Sequence, residues 1–318
     1  MKTVAFIISK KENEKRRAIL PWHLQSIRNK NLVYVETGYG SIMGISDSEF
    51  EKAGVKICSR NEAMKKDIIV DPKIGDAKYL HNLKEGAVLF GWLHLVQNKK
   101  LTDLCIEKRF STYCWENMFT DSTHVFYRNN EIAGEAAILH AFQCCGKMPE
   151  GRNVAVLGNG NVARGAIKTL TALGAKVRVY VREEEKLFQK EFANYDVIVN
   201  AILWDTSRND HILYKKDIKK MKKNSLIIDI SCDHNGGIES SHPTTIKKPI
   251  YKFSNVFHYA VDHAPSIFFY ESSNSISKEV SKYIDDIIED KPNAVLKNSL
   301  GIQNGFVLDQ KIMDYQNR

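Results

Sequence analysis

Four short segments of this 318-residue chain carry side chains that could do chemistry together. In Glu12-Asn-Glu14-Lys-Arg16-Arg17-Ala-Ile-Leu-Pro21, paired arginines follow a first apolar strand. An arginine there can grip a carboxylate through a forked contact, or the stretch can be a solvated basic turn. In Asp67-Ile-Ile-Val-Asp71-Pro72-Lys73, a lysine stands just beyond a buried strand, where side chains often face a cleft. Taken alone, such a lysine is usually a surface residue. His94 closes the apolar run Val88-Leu-Phe-Gly91-Trp92-Leu-His94. It is either a satisfied core histidine or a proton carrier working near neutral pH. Finally, Asp233, His234, Gly236 and Gly237 follow the buried run Ile227–Ile230. That is the carboxyl end of a strand, where α/β folds place ligands; a plain turn is the alternative.

A fifth segment binds rather than reacts. Val154-Ala-Val-Leu-Gly158-Asn159-Gly160-Asn161-Val162-Ala163-Arg-Gly165 reads as a strand, a GxGxxA loop and an apolar helix. The first glycine permits the tight turn and the second lets backbone approach a pyrophosphate. Ala163 lets helix and strand pack closely, and the helix N-terminus attracts the anion. About 20 residues on, a binder of NAD usually carries an acidic residue on the ribose. Here Val181 takes that place and Arg182 follows. A guanidinium suits a 2′-phosphate, so the expected cofactor is NADPH/NADP. Glu183 or Glu184 on the ribose, with Arg182 merely exposed, is the opposing reading.

These groups need a scaffold. Apolar runs predict strands at Thr3–Ser9, Leu32–Glu36, Asp67–Val70, Val88–Phe90 and Phe110–Tyr113, then at Asn153–Leu157, Lys176–Val181, Asp196–Asn200, Ser225–Ile230 and Val256–Val261. Helical spacing covers about Glu131 to Cys145, Asn161 to Leu173 and Ile276 to Glu289. Near-continuous apolar strands alternating with helices argue for an α/β chain with a parallel sheet covered on both faces. The length suggests two domains. Apolar residues make up 43 % and charged residues 26 % of the chain, values that exclude a disordered one. The net charge of +8 is spread along the chain, so it reads as solvated helix faces rather than a nucleic-acid stripe. Six cysteines without CxxC spacing argue against a structural zinc and read as thiols of a reducing compartment. The short run Val4–Ile8 lacks the form of a signal peptide, and Ala87–Val96 is about half a membrane span. The expected location is the cytoplasm, with no membrane or metal partner.

Together the segments resemble the alanine dehydrogenase, saccharopine dehydrogenase and transhydrogenase superfamily from about residue 3 to 290. The resemblance is carried by Arg16 to Pro21, Asp71-Pro72-Lys73, Trp92-Leu-His94-Leu95, Ile228-Asp229 through Gly237, and His242-Pro243-Thr244-Thr245. Asp71-Pro72-Lys73 keeps the second lysine of the family's motif and lacks the first. Within the superfamily the chain most resembles the N5-(carboxyethyl)ornithine synthase family, through Gly91-Trp92-x-His94, Glu239-x-Ser-His242 and the strand ending in Arg182.

That resemblance implies two Rossmann-like domains with parallel sheets, the cofactor domain inserted into the catalytic one. Residues 1–125 and 268–318 would form the catalytic domain, and 126–267 the NADP(H)-binding domain. It implies NADPH-dependent joining of pyruvate to the side-chain amine of ornithine or lysine through a Schiff base, in a homo-oligomer acting on small molecules. His94 would serve as acid and base. Lys73 would hold the keto-acid carboxylate, polarise its carbonyl and lower the His94 pKa. Arg16 would clamp a carboxylate, and Asp233 would orient the attacking amine or balance charge. Gly158, Asn159, Gly160, Asn161, Val162, Ala163, Val181 and Arg182 would line the cofactor. Glu116, Asp121 and Asp262 are candidates for the far end of the amine. An alanine or other amino-acid dehydrogenase and a non-catalytic NADP-binding sensor are the alternatives.

Overall fold

The computed structural model describes residues 1–233 and 235–318, so the expectation for His234 lies outside the described residues. The chain divides into two compact units, Met1–Tyr127 with Phe269–Arg318, and Arg128–Phe268.

In the first unit, strands β1 (Val4–Phe6), β2 (Val33–Glu36), β3 (Lys56–Cys58), β4 (Ile68–Val70), β5 (Val88–Gly91) and β6 (Ser111–Cys114) run parallel. The C-terminal strands Leu300–Gln303 and Phe306–Val307 add an antiparallel edge beyond β6. From that edge the order continues β6-β5-β4-β1-β2-β3. Side chains alternate between two faces along each strand. Val4, Phe6, Ile68, Val70, Val88 and Phe90 enter one core, while Ala5, Ile69 and Leu89 enter the other. Apolar demand on both faces is why these strands read as continuous apolar runs.

The first core also takes Ile276, Val280, Ile284 and Ile287, so burial returns the C-terminal segment to the N-terminal sheet. Hydrogen bonds from Arg17 N–H to Ser273 Oγ (2.8 Å) and from Leu20 N–H to Ser277 Oγ (2.8 Å) fasten it there. The single helix expected over Ile276–Glu289 is two, Phe269–Val280 and Ile284–Ile288. The apolar spacing persists across the intervening turn because Tyr283 is buried against the same core.

In the second unit, β7 (Asn153–Leu157), β8 (Lys176–Tyr180), β9 (Val197–Asn200), β10 (Leu226–Asp229) and β12 (Val256–Tyr259) are parallel. Strand β11 (Ile250–Phe253) is an antiparallel edge, and the order is β8-β7-β9-β10-β12-β11. Helices α1 (Tyr127–Cys144) and α2 (Asn161–Ala172) cross backbone to backbone. A Cβ on Gly165 would lie 1.9 Å from the Glu131 carbonyl oxygen, and one on Gly134 would lie 2.1 Å from that of Val162.

Candidate active site

In each sheet the strand order reverses beside the first strand, at β1/β4 and at β7/β9. Ligands of open α/β sheets bind outside the carboxyl ends of strands at such reversals. In the first unit, Arg16 follows β1, Lys73 follows β4 and His94 follows β5. The two loops carrying Lys73 and His94 are in backbone contact. A Cβ on Gly91 would sit 2.1 Å from the Asp71 carbonyl oxygen, and one on Gly75 would sit 2.5 Å from that of Leu93. Gly75 N–H also donates to the Trp92 carbonyl (3.0 Å). The glycines therefore let the two loops that carry Lys73 and His94 pack backbone against backbone.

Lys73 is buried, and its ammonium stands 3.8 Å from Asp76 Oδ2, which also takes Lys11 Nζ at 2.8 Å. Lys73 N–H donates to Asp71 Oδ1 (2.9 Å), and Tyr79 Oη donates to Asp71 Oδ2 (2.8 Å). Burial pushes the Asp71 carboxyl up to about 6, against these hydrogen bonds and with help from the charge of Glu14.

His94 adopts φ +52° and ψ +43°, the left-handed region. Its N–H donates to Glu116 Oε1 (2.5 Å), and Leu93 N–H donates to Oε2 of the same carboxylate (3.3 Å). His94 is exposed as a residue, yet protein gathers round it closely enough that desolvation is the main influence lowering its pKa. The charge of Glu116 opposes that fall. Lys73 contributes to it, as expected, but behind desolvation.

Arg16 and Arg17 separate in role. Arg16 is buried, with Nε and Nη2 donating to the two oxygens of Glu14 at 2.8 and 2.6 Å. Its guanidinium also lies 5.1 Å from the Trp92 ring centroid. Arg17 is spent on the backbone carbonyls of Tyr39, Lys15 and Arg16.

In the second unit, Gly158 has φ +99°, and its N–H donates to the Tyr180 carbonyl (2.9 Å). A Cβ there would lie 2.9 Å from the Ala201 carbonyl oxygen, so glycine is required by the fold itself. Gly160 differs. It caps α2 with no side-chain cap, and a Cβ on it would meet no protein atom within 4 Å. Packing does not demand glycine there, whereas a pyrophosphate lying over the free first-turn N–H groups would. Asn159 is exposed, Asn161 and Val162 are half-buried, and Ala163 is fully buried. The loop fits a dinucleotide.

Val181 N–H donates to Glu184 Oε2 (3.1 Å), which commits that acid to a backbone turn. Arg182 is exposed, with Nη2 donating to Asp205 Oδ2 (3.2 Å). Asp233 is half-buried, and its carbonyl accepts Gly236 N–H (3.2 Å). The loop before it is held by buried Asp229, which accepts from Asn200 Nδ2 (2.9 Å) and Cys232 N–H (3.2 Å). The sites thus divide. Arg16, Lys73 and His94 belong to the first unit; Asp233 and the phosphate loop belong to the second.

Among the three acidic candidates for the amine, Glu116 is engaged with the His94 loop and Asp262 with His263 (2.7 Å). Asp121 lies in the exposed turn between two short strands. The position of Glu116, just after a strand's carboxyl end, was visible in sequence; its engagement with Leu93 and His94 was not.

This combination defines an α/β dehydrogenase with a dinucleotide-binding unit. Family descriptions match accordingly: "Alanine dehydrogenase/PNT, N-terminal domain" over residues 9–133 and "Alanine dehydrogenase/PNT, C-terminal domain" over residues 180–315. Residues 119–233 also match "D-isomer specific 2-hydroxyacid dehydrogenase, NAD binding domain". The chain belongs to the alanine dehydrogenase/PNT family, and its cofactor is of the nicotinamide type.

Among its relatives, an N(5)-(carboxyethyl)ornithine synthase of Clostridium botulinum is 33 % identical, covering 88 % of this chain and 93 % of its own. One from Lactococcus lactis subsp. lactis is 31 % identical over 85 % and 91 %. An L-alanine dehydrogenase structure superposes with a TM-score of 0.83 at 18 % identity, covering 99 % of both chains, which shows the shared fold. Among the described residues no helix is long and apolar enough to cross a membrane.

Proposed function

We propose that this protein uses NADPH to condense pyruvate with the side-chain amine of ornithine or lysine, reducing the resulting Schiff base to an N-(carboxyethyl) amino acid. The observation that carries the proposal is the pair of closely packed loops that carries Lys73 and His94 beyond the carboxyl ends of β4 and β5, beside the strand-order reversal of the first sheet. The printed names of the relatives at 33 % and 31 % identity support the substrate class.

When bound, the nicotinamide supplies the hydride to the C=N carbon. Lys73, held through its backbone by Asp71, offers a positive charge to the keto-acid carboxylate and carbonyl. Imine formation needs a neutral amine and a proton for the departing water. A His94 whose pKa is lowered is neutral at pH 7 and can accept the amine's proton, then return it to the leaving hydroxyl. Arg16, anchored by Glu14, orients a carboxylate from its buried position. Asp233 orients the amine or balances charge near the nicotinamide. Gly158, Asn159, Gly160, Asn161, Val162 and Ala163 would hold the pyrophosphate. Beyond Val181, Arg182, whose guanidinium now meets Asp205, would hold the 2′-phosphate.

The test is NADPH oxidation with pyruvate or 2-oxoglutarate against ornithine, lysine and ammonia. Turnover with pyruvate and a diamino acid is expected. Turnover with ammonia alone would replace the proposal with an alanine dehydrogenase, the reading that the family and the L-alanine dehydrogenase fold favour.

A further inference from the structure

We propose that Glu116 is the positioning residue of His94, fixing its loop in the left-handed conformation and biasing its protonation. The inference rests on reading His94 as the acid–base group, and it assigns Glu116 a task other than binding the amine.

Strand register brings the two together. β5 and β6 pair with Gly91 opposite Cys114, so Leu93 and His94 leave one strand as Trp115 and Glu116 leave its neighbour. The Glu116 carboxylate then spans two consecutive N–H groups, with Oε1 on His94 (2.5 Å) and Oε2 on Leu93 (3.3 Å). Those groups need an acceptor, because His94 turns left-handed and opens a short helical turn, Leu95–Gln97, without a side-chain cap. A non-glycine residue held there costs about 1 kcal/mol or more and persists only where its surroundings impose it. A carboxylate bridging two N–H groups is such an imposition. The other side of the loop is closed by Gly75 against Leu93, so His94 has little room to relax.

The same carboxylate, held on the backbone N–H of His94, also acts on the charge of the imidazole. The groups acting on His94 are Glu116 after β6, Lys73 and Asp76 after β4, and Lys11 after β1. Glu116 and Asp76 favour the imidazolium; Lys73 and Lys11 disfavour it. Glu116 exerts the largest of the four influences. It opposes desolvation, which remains the larger influence, and so favours proton uptake by the ring. A neutral acceptor in its place could hold the backbone but not supply that charge.

The experiment follows His94 by NMR in the full-length protein labelled with 13C-histidine, the resonance being assigned by its loss in His94→Asn. In Glu116→Gln the titration midpoint should fall by about half to one pH unit. Glu116→Asp, which keeps the charge one methylene further back, should fall between Gln and the wild type. The acid limb of kcat/KM should move by the same interval, with NADPH affinity changed less than twofold. An unmoved midpoint and acid limb, or the reverse ordering of the two variants, overturns the assignment. A shifted midpoint in a protein that turns over no substrate of the panel would uphold the Glu116–His94 link and sink the imine-reducing reading instead.

Discussion

Asp71 offers the sharpest quantitative prediction. It is wholly buried, and burial raises its carboxyl from 3.8 to about 6. At 1.36 kcal/mol per pH unit, that displacement corresponds to about 3 kcal/mol of stability lost once the group is ionised. The sign follows from proton counting. Between pH 4 and 6 the folded chain holds the proton that the unfolded chain has released, so stability falls as pH rises through that window. Above about pH 6 the deficit is constant. Asp71→Asn is nearly isosteric and keeps an oxygen for Lys73 N–H while removing the charge.

Urea unfolding followed by tryptophan fluorescence reports mainly on the correct unit, since Trp22, Trp92 and Trp115 share it with Asp71 and only Trp204 lies in the other. The variant's stability advantage over the wild type should grow by about 2 kcal/mol between pH 4.5 and 7.5. An advantage that stays flat across this range, or shrinks with rising pH, would refute the reasoning. A buried charge kept at such a cost beside Lys73 is what a site under functional constraint retains.

Gly165, inside α2, and Gly160, at its cap, should respond differently to alanine. Gly165→Ala drives a Cβ to 1.9 Å from the Glu131 carbonyl oxygen and should lower stability by about 3 kcal/mol or more, read as a drop in Tm. Gly160→Ala enters open space and should leave Tm within about 1 °C while weakening NADPH binding about tenfold or more by fluorescence titration. Arg182→Ala should weaken NADPH about tenfold and NADH little; equal loss for both would contradict the phosphate role. Lys73→Ala and His94→Ala should each reduce kcat by about a hundredfold with NADPH binding nearly intact, and full turnover in either would remove it from the mechanism.

Much of the scaffold was readable because parallel strands buried on both faces must be apolar throughout. Val88-Leu-Phe and Val154-Ala-Val-Leu could be little else. β3 and β11 carry no such apolar signal for the opposite reason: both are edges, with Lys56 and Lys252 exposed in their short spans. Lys73, His94 and Asp233 stood out in sequence because polar groups immediately after buried strands are conspicuous. What surrounds them was not legible. The backbone contact of Gly75 with Leu93, the hold of Asp71 on Lys73 and that of Glu116 on His94 depend on loops that register alone brings together. Nor does sequence reveal that Arg16 already has Glu14, or Arg182 Asp205, as a charged neighbour.

The central claim is that hydride reaches the carbon of an imine joining pyruvate to a diamino acid. It is tested most directly by the mass of the product formed from pyruvate, ornithine or lysine and NADPH deuterated at C4 of the nicotinamide. The predicted product is the amine plus pyruvate less one water, reduced at the new C–N bond and carrying one deuterium on the carbon derived from the pyruvate carbonyl. Deuterated lactate with the diamino acid unchanged, or deuterated alanine in place of the adduct when ammonia is added to the same mixture, would contradict the account.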